Sequence, residues 1–136
     1  MTNTADDHAR KLYSTDRASQ TLGMKIAEVR PGYARVTMKV RADMANGHGV
    51  VHGGLIFALA DSAFAFACNS YGDPTLAAGA TIDFLAPGIV GDELTATAQE
   101  LWRGGRTGLY DVVVTRPDAT VVAQFRGRSH RLSRAP

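Results

Sequence analysis

The stretch that most constrains this chain runs from Asn46 to Tyr71. A glycine- and histidine-rich turn, Asn46-Gly47-His48-Gly49-Val50-Val51-His52-Gly53-Gly54, leads directly into an apolar segment from Leu55 to Ala67. No other segment is long enough to form a substantial helix. Leu55, Leu59, Ala63 and Phe66 repeat at helical spacing, as do Ile56, Ala60, Phe64 and Ala67. Phe57, Ala58 and Ala65 fill most of the gaps, so the helix is apolar nearly all round and belongs inside the fold. Its polar residues before Asn69 are Asp61 and Ser62. Aspartate is a poor helix former away from the first turn, because its carboxylate competes for backbone donors. Asp61 therefore requires a reason.

Two readings of Asp61 are open. One makes it a core polar group satisfied by a hydrogen bond to a neighbour. The other makes it a catalytic carboxylate, because a charge that is costly to bury sits where chemistry or a specific partner offsets the cost. The turn before the helix favours the second. Gly53-Gly54 at a helix start lets a ligand approach the backbone, and the first N–H groups of the helix are unpaired at the positive end of its dipole. That arrangement stabilises an oxyanion.

The rest of the chain reads as strands around this helix. The N-terminal residues to about Thr4 are expected to be disordered, with short helices at Ala5–Ser14 and Arg17–Leu22. Strands are expected at Met24–Arg30 and Tyr33–Arg41, joined by the turn pair Pro31-Gly32. In the second, Ala34, Val36, Met38 and Val40 alternate with Tyr33, Arg35, Thr37 and Lys39, the pattern of a half-buried strand. Beyond Tyr71-Gly72-Asp73-Pro74, which stops the helix, four more are expected, at Ala77–Leu85, Glu93–Trp102, Thr107–Arg116 and Thr120–Leu132. Pro87-Gly88, Gly104-Gly105 and Pro117-Asp118 separate them. One buried helix and a meander-like run of strands predict an α+β fold, an antiparallel sheet wrapped around one long central helix. With 136 residues, residues 1–136 form a single domain on this reading.

Composition excludes several classes. The lone cysteine, Cys68, rules out an internal disulfide framework and reads as a small packing residue on the apolar helix. Together with polar first residues that lack an apolar signal segment, it predicts a cytoplasmic protein. The apolar helix falls short of the ~20 residues that a bilayer requires, so no membrane span is expected. Lys+Arg against Asp+Glu is 8 to 11 over residues 1–100 but 7 to 2 over residues 101–136, and those seven cations are all arginine. Arginine suits bidentate phosphate recognition. Nucleic acid is not the expected partner, since the aromatic interleaving of a single-strand binder is missing. His48, His52 and Asp61 do not predict a metal site, because the two histidines precede the helix and do not share a helical face. Ser62 follows Asp61 directly and points about 100° away from it on a helix, and no Gly-x-Ser-x-Gly elbow occurs.

Taken together, Asn46-Gly47-His48-Gly49, His52-Gly53-Gly54 and Ala60-Asp61-Ser62-Ala63 strongly resemble the hotdog-fold acyl-CoA thioesterases of the phenylacetate-degradation type. The resemblance continues through Ala67-Cys68-Asn69-Ser70, Thr81 to Gly88 and Phe125 to His130. It implies a hotdog fold and hydrolysis of an aryl-acyl (phenylacetyl-like) or medium-chain acyl-CoA to free acid and CoA. Coenzyme A is then part of the substrate, and no separate cofactor is needed. On this reading the Gly53 N–H stabilises the thioester oxyanion, with Gly54 keeping the approach open. Asp61 acts as general base on a water or as the nucleophile. Asn46 places the attacking water or the carboxylate, and His52 hydrogen-bonds near the thioester or orients the loop. Arg126 and Arg128, which share a strand face with His130, and Arg103 and Arg106 beside Gly104-Gly105, are the candidates for the CoA phosphates.

Two rival readings are an acyl-CoA binding or sensing domain without catalysis and a hotdog hydratase or dehydratase. The first has no need of Asp61. The second works with a paired Asp and His in the loop before the helix, and no Asp stands between Asp43 and Asp61.

Gly53 and Asp61 lie eight residues apart on one helix, which puts their backbones about 12 Å apart. One thioester carbonyl requires both groups within about 3 Å. A second copy of the chain must then supply one of them, so a two-fold homodimer with shared active sites is expected. The resemblance adds the pairing of dimers into a homotetramer.

Overall fold

The computed structural model describes residues 4–132. The chain runs α1 (Thr4–Tyr13), α2 (Arg17–Thr21), β1 (Lys25–Arg30), β2 (Tyr33–Lys39), a 3-10 turn (Ala42–Met44), α3 (Gly53–Cys68), β3 (Thr75–Phe84), β4 (Glu93–Gly104), β5 (Thr107–Thr115) and β6 (Val121–Arg131). Thr4 opens α1, which corrects the disorder expected at that residue; the remainder of that expectation, residues 1–3, lies outside the described residues.

The six strands form one antiparallel sheet in the order β1-β2-β4-β5-β6-β3, and α3 lies across it. This is the hotdog architecture. Only β4, β5 and β6 are a true meander. β3, the next strand after α3, does not pair with β4; it crosses to the far edge and pairs with β6, from Thr75 opposite Arg131 to Phe84 opposite Ala123. The expected simple run of strands is corrected there. Strand periodicity gives each strand's faces but not its neighbour.

The strand pattern explains the wrapping. Ala34, Val36 and Met38 of β2, Leu94, Ala96 and Ala98 of β4, and Tyr110, Val112 and Val114 of β5 are all buried on one face. Against them α3 buries Ile56, Leu59, Ala60, Ala63, Phe64, Phe66 and Ala67. The many alanines at this contact bring helix and sheet backbones close. Gly127 serves the same end: a Cβ there would meet the Phe64 ring at 2.9 Å, a distance that packed atoms do not tolerate.

Both ends of α3 are capped by side chains. His52 is the N-cap, its Nδ1 accepting the Gly54 N–H at 3.0 Å. At the other end Asn69 donates to Ala65 O at 2.8 Å and Thr75 O at 3.0 Å and accepts from Thr75 N at 2.9 Å. Those contacts turn the chain out of the helix and into β3.

β3 stands apart from the other strands. Eight of its ten residues are exposed, including Leu76 at 58% and Phe84 at 52%. One backbone edge of β3 has no neighbour in the sheet, and the strand carries neither lysine nor proline to discourage pairing.

Candidate active site

The turn before α3 is built by its own backbone. Asn46 N donates to Val50 O at 2.7 Å, and Gly49 N donates to Asn46 O at 3.1 Å. Gly49 has a φ of 80°, a left-handed conformation that suits glycine. The Asn46 carboxamide oxygen accepts from His48 N at 2.9 Å and from Val50 N at 3.3 Å. The oxygen of Asn46 is thus committed to the turn, and its NH2 end remains for other contacts. His52 N donates to Met44 O and Val51 N to Gly88 O, which ties the loop down at the helix start.

Because His52 accepts through Nδ1, its neutral ring carries the proton on Nε2 and presents that N–H outward. The Gly53 N–H has no hydrogen-bond partner among the described residues. It is one of the orphan donors at the positive end of α3. The Phe84 ring lies over this point, so close that a Cβ on Gly53 would sit 3.2 Å from Phe84 Cζ. Glycine keeps the donor reachable beneath that ring.

Asp61 sits two turns along, on the side of α3 away from the sheet. Ala58, Asp61, Ser62, Ala65 and Asn69 form a half-exposed stripe at three- and four-residue spacing. The Asp61 carboxylate makes no hydrogen bond and no ion pair among the described residues. Desolvation by the surrounding apolar groups pushes its pKa up from the ordinary carboxylate value, and the negative charge of Asp16 pushes it further. A core polar group satisfied within its own chain would have a partner; Asp61 has none among the described residues.

The arginines separate into two groups. Arg103 and Arg106 line a cavity of about 250 Å³ at the C-terminal end of α3, together with Arg131, Tyr71, Tyr110 and Cys68. The Arg103 guanidinium stacks on Tyr71 at 3.5 Å and pairs with Glu100 at 3.7 Å. Arg126 and Arg128 lie instead on the outer face of β6. Arg126 is held by Asp111 at 2.6 and 3.1 Å, and Arg128 donates to Ala78 O at 3.4 Å. The strand alternation is as expected, with Phe125, Gly127 and Ser129 buried between these exposed side chains, but the four arginines do not converge. Burial lifts the Cys68 thiol to about 12, which suits a packing residue and not a nucleophile.

So Asn46, His52, Gly53 and Gly54 share the loop and first turn at the start of α3, while Asp61 lies some 12 Å along the helix. The sequence did not signal Phe84 over the glycines or the charge of Asp16 acting on Asp61. Phe84 alternates like any strand residue, and Asp16 looks like an ordinary helix cap; in neither case does local sequence signal the distant contact.

Residues 48–123 match the thioesterase superfamily. The chain belongs to that family. This thioesterase is 48% identical over 132 residues to the acyl-coenzyme A thioesterase PaaI of Escherichia coli K12, covering 97% of this chain and 94% of the relative. The structure of E. coli PaaI, from the phenylacetic acid degradation operon, superimposes with a TM-score of 0.94 over 96% of this chain and 94% of that one. The TT0310 protein of Thermus thermophilus is 41% identical with a TM-score of 0.83, covering 86% of this thioesterase and 98% of that chain. A Streptococcus mutans protein bound to acetyl CoA, smu.793, is 26% identical with a TM-score of 0.78, covering 83% and 91%. As a member of this superfamily the chain is a thioester hydrolase. No helix among its described residues is long and apolar enough to cross a membrane.

Proposed function

We propose that this thioesterase hydrolyses acyl-CoA esters, with an aryl-acyl group of the phenylacetyl type or a medium-chain acyl group, to the free acid and CoA. The observation that carries the reading is Asp61, a desolvated carboxylate without a partner among the described residues, in a largely apolar helix. The names of the relatives, acyl-CoA thioesterase and phenylacetic acid degradation, support the substrate class. A binding domain without catalysis has no use for such a carboxylate.

In the proposed reaction the thioester oxygen accepts the Gly53 N–H, and Gly54 leaves the approach clear. In one route Asp61 takes a proton from a water whose oxygen attacks the carbonyl carbon. In the other, the Asp61 carboxylate attacks directly and the mixed anhydride is hydrolysed. Both break the C–S bond and release CoA thiolate, which takes up a proton. The Asn46 NH2 and the His52 Nε2–H hold the attacking water or the thioester. Incorporation of ¹⁸O from labelled water into Asp61 in a single turnover distinguishes the nucleophile from the base.

Gly53 and Asp61 meet at one carbonyl only if they come from different subunits. The exposed edge of β3, with Leu76 and Phe84, favours pairing with a second copy. The proposed unit is a homodimer with two shared sites, assembled further into a homotetramer in the cytoplasm. CoA is the only cofactor-like group it handles, and it enters as substrate. Arg103 and Arg106, which line one cavity, are the preferred contacts for the CoA phosphates; Arg126 and Arg128 on the outer face of β6 are the second set.

A thiol-release assay over a panel of aryl- and alkyl-CoA thioesters tests the reading. Turnover that favours an aryl or medium-chain ester is expected, and binding without thiol release would overturn it. In the same assay, Arg103→Ala and Arg106→Ala should raise KM for CoA esters and spare short thioesters that lack the nucleotide. The same selectivity in Arg126→Ala and Arg128→Ala would assign the phosphates to β6 instead.

A further inference from the structure

Asp16 caps α2, a helix of only five residues. One of its oxygens accepts the Ser19 N–H at 3.0 Å, which is all that capping requires. The other accepts the Ser19 hydroxyl at 2.6 Å, and Ser19 Oγ lies 2.7 Å from Ser62 Oγ on α3. Ser19 is 1% exposed, and its single hydroxyl proton goes to Asp16, so Ser62 donates to Ser19. Two hydrogen bonds thus fasten the Asp16 carboxylate to the residue next to Asp61. Asp16 also walls a groove floored by Ala65 and Asn69, one and two steps of four residues beyond Asp61. A second carboxylate therefore overlooks the stripe on which Asp61 sits.

We propose that Asp16 is a positioning residue for the thioesterase reaction: fixed by Ser19 and Ser62, its negative charge makes Asp61 a stronger base. This rests on Asp61 being the group that attacks or deprotonates. Like charges held near one another favour the proton on one of them, and a carboxylate tuned upward is more effective near neutral pH. The direction of the Asp61 shift agrees, with burial as the larger cause and the Asp16 charge as the second. The groups around Asp61 are few. From α1, His8 and Lys11 line the same groove as Asp16. On α3 itself, Cys68 is held protonated and senses the Asp61 charge. The strands pack against the opposite, buried side of α3, and do so through apolar side chains such as Val36, Leu94, Val112 and Phe125.

Asp16→Asn in the full-length protein removes the charge and keeps the cap, with the amide NH2 donating to Ser19 Oγ where the carboxylate accepted from it. Two readouts decide. The acid limb of kcat/KM for a CoA thioester should move to lower pH, and plateau kcat should fall. Independently, the ¹³C-carboxyl resonance of Asp61, assigned by its loss in Asp61→Asn, should titrate at lower pH in Asp16→Asn than in wild type. Ser62→Ala, which loosens the tether without touching the cap, should produce a smaller displacement in the same direction and serves if Asp16→Asn proves unstable. An unchanged Asp61 titration in these variants overturns the proposal. Should Asp61→Asn retain full turnover, the reading of Asp61 fails instead, and the carboxyl titration still reports whether Asp16 acts on it.

Discussion

Two half-buried carboxylates, Asp61 and Glu100, meet opposite fates in this molecule. Glu100 accepts from the Tyr110 hydroxyl at 2.9 Å and from the Tyr71 hydroxyl at 3.1 and 3.2 Å, and pairs with Arg103. Asp61 has no such company among the described residues; desolvation pushes its pKa up, and the charge of Asp16, another carboxylate, adds to the shift. Glu100 is occupied by structure: it fixes two tyrosines and an arginine at the end of α3. The Tyr71 and Tyr110 phenols are both pushed up, first by desolvation and then by the hydrogen bond to Glu100. Asp61 keeps both oxygens available to a substrate, and the fold bears the cost of leaving it so. A carboxylate's exposure matters less than whether its lone pairs are already used.

Neutralising Asp61 should have the largest effect. Asp61→Asn should cut kcat by about a hundredfold or more with the fold retained, as expected for loss of a general base or nucleophile. Near wild-type turnover by the purified variant would place Asp61 in the same class as Glu100.

The next effect is recovery of activity. Asn46→Ala and Asp61→Ala subunits, each nearly inactive alone, should on co-refolding in equal amounts regain about a quarter of wild-type activity. About half the dimers are then mixed, each with one intact site of two. No recovery despite verified subunit exchange would mean that Gly53 and Asp61 do not meet across a dimer.

For Glu100 the outcome should be reversed. Glu100→Ala leaves the buried Tyr110 hydroxyl without its acceptor and should cost about 1–3 kcal/mol of stability, read by denaturant unfolding. kcat should change little. A large loss of kcat with unchanged stability would make Glu100 a functional group.

The smallest effect concerns Asp61 and stability. Its folded pKa is raised, so the folded state holds the proton more tightly than the unfolded chain. The stability it contributes is complete below the unfolded pKa and is lost as pH rises through the folded pKa. Asp61→Asn escapes that loss. Its thermal midpoint should therefore exceed that of wild type near pH 7, and the gap should narrow as pH falls toward the ordinary carboxylate range. A variant that is less stable at neutral pH would point to an unseen favourable partner for Asp61.

The central helix, the faces of the strands and the loop before the helix were legible in the residues alone, because these depend on local rules. An uninterrupted apolar segment has to be buried, alternation assigns strand faces, and glycines at a helix start leave backbone donors uncovered. The separation of the two candidate groups, Gly53 and Asp61, along one helix was also legible, since helical rise is a constant. Tertiary structure alone decided the rest. Whether Asp61 finds a partner depends on what other elements bring to its side of α3, and Asp16 arrives there through α2, more than forty positions earlier in the chain. The crossing of β3 to the edge beside β6 leaves its apolar face exposed and lays Phe84 over Gly53. The arginines, alike in chemistry, were divided between a cavity beside the β4–β5 turn and the outer face of β6, where strand pairing puts Asp111 opposite Arg126. Such contacts follow from register and packing across long separations, which no local pattern encodes.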